Sequence, residues 1–279
     1  MAEPFLHINE RFFSAEFFDH QNPSFTAGFT TKNGGVSGQE FKTLNTGFHV
    51  GDSLPDVVRN RELLAGALSF PLDQWAGAEQ THETQIVKVH PDGRGKGARE
   101  YESSFKGTDG LYTDQKGILL TLCFADCVPL YFAAPRTGMI GIAHAGWKGT
   151  VHGIGEKMVR IWQEEGIEAS EIFAAIGPSI CSDCYVVDDR VINFAKNRLE
   201  EVDKKPYNLI KEGQYALDLK KLNALILQKA GIPEENIQIS SLCTSCHHHH
   251  FFSHRKDLGK TGRMMGLIGW KEDTSFEGN

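Results

Sequence analysis

The chain has 279 residues, 40% hydrophobic and 23% charged, and its 29 Lys and Arg against 36 Asp and Glu give a formal net charge of −7. That length can build one large domain with a substantial core and no disulfide staples. The acidic balance excludes a broad nucleic-acid or anionic-membrane surface, though not a local basic pocket for one phosphate, and the absence of an eighteen-residue apolar run excludes a membrane helix.

The opening MAEPFLHINERFF lacks the basic start and apolar run of a secretory signal, so a cytoplasmic protein with reduced cysteines is expected. Residues 24–51, rich in Gly, Thr and Asn, read as short strands and turns. A helix is predicted over 54–68, with Pro55 in its first turn and Val57, Val58, Leu63, Leu64 and Leu68 as its apolar residues. Alternation predicts a half-buried strand over 84–90, and the polar, Gly-rich stretch 92–110 reads as a surface loop. GILLTLCFADCVPLYFAA (117–134) reads as strand, sharp bend at Ala125–Asp126, strand. MIGIAH (139–144) is a further buried strand, leading through AGWKGTVHGIG into a helix that ends near residue 164. Strands are expected at 171–176 and 236–242, and a helix at 216–230, stopped by Gly231 and Pro233. With no strict βαβ alternation and no GxGxxG, the expectation is one α+β domain over 1–279, a mixed sheet core flanked by helices and not a Rossmann fold.

His82, Cys127 and His144 each fall at the end of an expected core strand, where a ligand is held rigidly and solvent still reaches it. Neutral imidazole and thiolate are donors that zinc prefers, and three protein ligands leave a fourth position open. Taken singly, Cys127 reads first as a small buried hydrophobe and His144 first as a satisfied core histidine. The gaps of 44 and 16 residues match no compact metal motif.

The strings EQTH, FADCVPLYF, AHAGWKG, CTSC, FFSHR and TGRM, spread over about residues 25–270, resemble the laccase-domain family, also called YfiH/YlmD-like or multicopper-polyphenol-oxidase. The resemblance implies that family's fold and a metal held by His82, Cys127 and His144, with zinc expected and copper as the alternative. It implies phosphorolysis of purine nucleosides (adenosine, inosine, methylthioadenosine) to free base and ribose 1-phosphate, with adenosine deamination as a companion activity. Purine nucleoside and phosphate are therefore the expected partners, and the oligomeric state stays open. Laccase chemistry needs separated HxH motifs, and this chain has that spacing only inside His247–His250, a run read as a native loop that binds metal adventitiously. Deamination needs a carboxylate to move protons, with Asp126, Glu79 and Glu83 as candidates. Phosphorolysis needs an anion site, for which Arg61, Lys148 and Arg255 are the candidate cations and GWKGTVHGIG a candidate phosphate-binding helix start; its glycines read equally as close-packing positions. Two further readings are a cysteine hydrolase using Cys127 and His144 and a non-enzymatic metal-binding protein.

Cys123, inside an apolar run, reads as a packed thiol. Cys181-x-x-Cys184 and Cys243-x-x-Cys246 have the pattern of a four-cysteine zinc site, but 58 residues separate the pairs, so reduced, partly buried thiols are the competing reading.

Overall fold

The computed structural model describes residues 2–17, 22–199 and 204–272. Two six-stranded mixed sheets lie face to face. The first runs in the order Phe5–Asn9, Phe12–Ala15, Phe25–Thr30, Met264–Trp270, Ile118–Phe124 and Trp75–Gly77. The second runs Ile237–Ile239, Phe173–Ile176, Val128–Ala134, Met139–Ala145, Gly110–Thr113 and Ile86–Lys88.

The apolar runs are explained by burial on both faces of each sheet. From Ile118–Phe124, the residues Ile118, Leu120, Leu122 and Phe124 enter the core shared by the sheets, while Leu119 enters the core under the helix Leu54–Leu68. Val128, Leu130 and Phe132 of the next strand face the helices Ile154–Glu164 and Leu219–Lys229, and Tyr131 and Ala133 face the shared core. The layers are thus helix, sheet, sheet, helices, an α+β architecture with a mixed sheet core as expected.

The expected helix at 54–68 is found at Leu54–Leu68. The segment 117–134 bends as expected, but the bend carries the chain from one sheet to the other. The strand expected at 84–90 is shortened to Ile86–Lys88, and the one at 236–242 to Ile237–Ile239. The stretch 92–110 is not wholly a surface loop: Ala98, Ser104, Thr108 and Asp109 are buried. Elements the sequence did not suggest are the hairpin Phe5–Asn9/Phe12–Ala15, the central strand Met264–Trp270, the helix Asp189–Lys196 and a small sheet of Val186–Val187, Gln214–Leu217 and Tyr207–Lys211. The histidine run is built into the fold, its backbone accepting from Lys32 N–H and the Asn33 amide. No helix among the described residues is long and apolar enough to cross a membrane.

Candidate functional site

Cys127 sits where the chain passes between sheets, and His144 lies beside it through the strand pairing of Pro129 with His144. His82 arrives on the segment between Trp75–Gly77 and Ile86–Lys88, which the Gln80 side chain clamps to the backbone N–H and C=O of Cys123 (2.7 and 2.8 Å). The three residues expected as ligands therefore converge: one donor atom from each lies within 4.8 Å of the others. His144 is 3% exposed and Cys127 half-buried, whereas His82 lies at the open side.

Asp109 organises this cluster. Its carboxylate is fully buried, lies 2.8 Å from His144 Nδ1, and accepts from the backbone N–H groups of Thr81, His82 and Glu83 at 3.0, 3.1 and 2.9 Å. Burial alone would raise its pKa, but His144 and these N–H donors outweigh that and hold it below the usual carboxylate value. The Asp109 contact leaves Nε2 as the free donor of His144 and orients its ring, the part a carboxylate plays behind a metal-bound histidine. His82 (φ 61°) and Asp126 (φ 83°) both adopt the left-handed conformation that non-glycine residues avoid, and both are fastened by such hydrogen bonds.

Without a metal, burial opposes ionisation of Cys127, yet His144 and His82 bring its thiol down to about 6. Burial likewise opposes the charged form of His144, but Cys127 and Asp109 raise its imidazole to about 9. Each group thus favours the charged form of the other, and a metal that takes the Nε2 proton's place would find a thiolate and an oriented imidazole side by side. Gly146 keeps the space beside them open: a Cβ there would stand 3.0 Å from Cys127 Sγ and 3.3 Å from His82 Cδ2. Gly146→Ala is therefore expected to weaken metal binding by this cluster about tenfold without unfolding the chain, checked by competition with a chelator.

The cluster opens into a cavity of about 570 Å3, within the range of small-molecule sites. Lys148, His254, Arg255 and Arg263 bring positive or protonatable groups to its wall, and Tyr185 and Leu219 bring apolar surface. Two of the residues expected to act on substrate have other tasks here. Arg61 does not reach this cavity: it is 4% exposed and donates to the carbonyls of Thr46, Gly97 and Ala98 beneath the Phe48 ring. Burial lowers its pKa to about 10, so it stays charged as an internal tie between loops. Asp126 does line the cavity, but its carboxylate accepts from the Thr244 hydroxyl (2.6 Å) and from Arg255 N–H (2.7 Å), which suits a loop clamp better than a proton carrier. The glycines of GWKGTVHGIG follow the packing reading: a Cβ on Gly149 would meet His144 O at 3.1 Å, and one on Gly155 would meet Leu227 at 3.0 Å. Cys123, expected as a packed thiol, is only half-buried and touches the cavity wall.

Sequence reasoning missed Asp109, Gln80, Thr244 and Arg263. Asp109 carries the same signal as the three ligands, a polar residue abutting a core strand (Gly110–Thr113), but it falls inside the stretch that reads as a surface loop.

Two mixed sheets flanked by helices, with a His–Cys–His donor set where the chain crosses between them, define a laccase-like fold with a metal-type pocket. Residues 26–271 match the family described as Multi-copper polyphenol oxidoreductase laccase, and the chain belongs to that family. It is 51% identical over 255 residues to the purine nucleoside phosphorylase YlmD of Bacillus subtilis, covering 91% of each chain. It is 36% identical over 271 residues to a purine nucleoside phosphorylase of Staphylococcus epidermidis, covering 95% of this chain and 100% of that one. The crystal structure of YlmD from Geobacillus stearothermophilus superposes with a TM-score of 0.94 at 47% identity, covering 97% of this chain and 100% of that one.

Proposed function

We propose that this chain is a zinc-dependent purine nucleoside phosphorylase that works in the cavity beside His82, Cys127 and His144. The observation that carries the reading is the convergence of those three donors, backed by Asp109, on a pocket of nucleoside size walled by cations. The residues fit zinc by chemistry and by space: two imidazoles and a thiolate, with Gly146 leaving the approach free. His82, Cys127 and His144 would hold the zinc, and when bound it would supply a Lewis acid beside the cavity.

The protein groups supply the rest. Lys148 and Arg255 offer charge for the phosphate dianion, while Tyr185 and Leu219 form a wall for the purine ring. The Arg255 guanidinium lies 4.9 Å over the Tyr185 ring, which brings the anion side and the base side of the pocket together. Adenosine deamination stays the secondary activity in this reading, because Asp126 is occupied as a clamp and Glu79 is paired with Lys106 at 3.3 Å. The laccase reading has less support: among the described residues the metal-type groups are this one, with two histidines, and a four-cysteine cluster with none, fewer histidines than a set of several copper centres needs.

Chromatography of a nucleoside panel with and without phosphate tests the function. Base release that depends on phosphate is expected, and turnover indifferent to phosphate would contradict it. Lys148→Ala and Arg255→Ala should raise the phosphate KM about tenfold or more with little change in melting temperature. Arg61→Met should instead cost about 3 kcal/mol of stability, read as a melting temperature lowered by several degrees, because three buried carbonyls lose their donor.

One observation favours a second reading. Asp109, His144 and Cys127 form the carboxylate–imidazole–thiol series of a cysteine hydrolase. The two readings part on labelling of Cys127. As a zinc ligand it should resist iodoacetamide in the loaded protein and become reactive after chelation, its rate rising through about pH 6 because the thiolate dominates above that value.

A further inference from the structure

We infer that Cys181, Cys184, Cys243 and Cys246 bind a second zinc ion as a tetrahedral thiolate site, which staples together two loops that wall the cavity.

The 58 residues that separate the two CxxC pairs in sequence are closed by the sheet. Phe173–Ile176 and Ile237–Ile239 are parallel neighbours, with Ala174 opposite Ile237 and Ile176 opposite Ile239, so their following loops leave the sheet at the same end. One loop reaches Cys181 and the other Cys243 within a few residues, and Ser179 still pairs with Cys243 in parallel register. The four sulfurs lie within 4.8 Å of one another. Cys246 Sγ stands 3.8 Å from Cys181 Sγ and 3.5 Å from Cys184 Sγ. Zinc–sulfur bonds of about 2.3 Å in a tetrahedron put sulfurs roughly 3.8 Å apart, whereas a disulfide needs about 2.05 Å. All four are free thiols.

The surroundings suit a tetrathiolate. Cys243 Sγ accepts from the backbone N–H groups of Cys181 and Cys246 at 3.3 and 3.4 Å, donors that favour sulfur carrying negative charge. The buried Lys220 ammonium, which donates to the carbonyls of Ser240 and Leu242, lies close enough to Cys243 and Cys181 to balance part of that charge. Four thiolates leave no open position, so the ion is structural. Its leverage runs toward the cavity: Ile180 N–H donates to Asp126 O, and Thr244 donates to the Asp126 carboxylate, immediately before Cys127 in the chain.

The test is made on full-length protein produced with zinc and washed with imidazole to strip the histidine run. Elemental analysis is expected to give two zinc ions per chain, falling to one in Cys184→Ser/Cys246→Ser and to one in His82→Ala/Cys127→Ala. X-ray absorption at the zinc edge of the second variant should show four sulfur neighbours, which keeps the test independent of whether the cysteine variant folds. In the wild type, exposed Cys246 should resist iodoacetamide until chelator is added. No zinc in the His82→Ala/Cys127→Ala variant, nitrogen neighbours in that variant, iron in place of zinc, or fast labelling of Cys246 in zinc-replete protein would each overturn the inference.

Discussion

Replacing Cys127 and His144 together with alanine is expected to reduce phosphorolysis by about 10³-fold or more and to remove one zinc per chain, leaving the fold intact. The loss follows from geometry: His144 is fixed by Asp109 on one nitrogen, Cys127 is fixed by the crossing between sheets, and His82 alone cannot hold the ion. Neither side chain fills a large volume in the core, so melting behaviour should change far less than activity. Elemental analysis and a thermal melt on the same preparation separate the two effects, and full zinc occupancy in the double variant would remove these residues as ligands.

Asp109→Asn should lower zinc affinity or activity by about 10–100-fold, the usual cost of disturbing a carboxylate behind a metal-bound histidine. Asparagine is close in size and its carbonyl oxygen can keep the N–H groups of Thr81 and Glu83, which share Oδ2, but its NH2 then meets the His82 N–H at the Oδ1 position and it cannot hold the charge that faces His144. Its amide can also donate toward His144 Nδ1 and so favour the wrong tautomer. Asp109→Ala should be worse, with a measurable drop in melting temperature, because three backbone N–H groups lose their acceptor. A chelator titration read alongside kcat distinguishes this positioning role: in Asp109→Asn the activity should recover partly at high zinc, which a purely structural defect would not do.

Part of the candidate site is legible in the sequence because Cys127 and His144 abut strongly apolar strands, whereas His82 precedes only the short, half-buried Ile86–Lys88 and joins them through the family resemblance. ILLTLCF and VPLYFAA on either side of Ala125–Cys127, and MIGIAHA ending near His144, mark rigid ends that periodicity finds without a structure. What periodicity cannot give is pairing. Nothing in the local pattern says that the bend at Asp126 exchanges sheets, that Met264–Trp270 lies between Phe25–Thr30 and Ile118–Phe124, or that two distant CxxC pairs follow adjacent parallel strands. Arg61 misleads for a related reason. A lone arginine on a helix reads as a solvated cation, and only the packing of the 31–53 and 95–98 segments over that helix turns it into a buried tie. Asp109 is hidden because a Gly-rich polar stretch looks like surface even where its last residues are buried under the site.

The most direct test of the central claim is phosphate-dependent base release from adenosine or inosine, followed through one cycle of chelation and zinc return on a single preparation. The expected result is activity in the loaded protein, loss on chelation together with the appearance of an alkylatable Cys127, and recovery on adding zinc, with ribose 1-phosphate formed in equal amount to free base. Full phosphate-dependent turnover by metal-free protein, or inhibition by the returned zinc, would contradict the account and leave Cys127 as a nucleophile instead of a ligand.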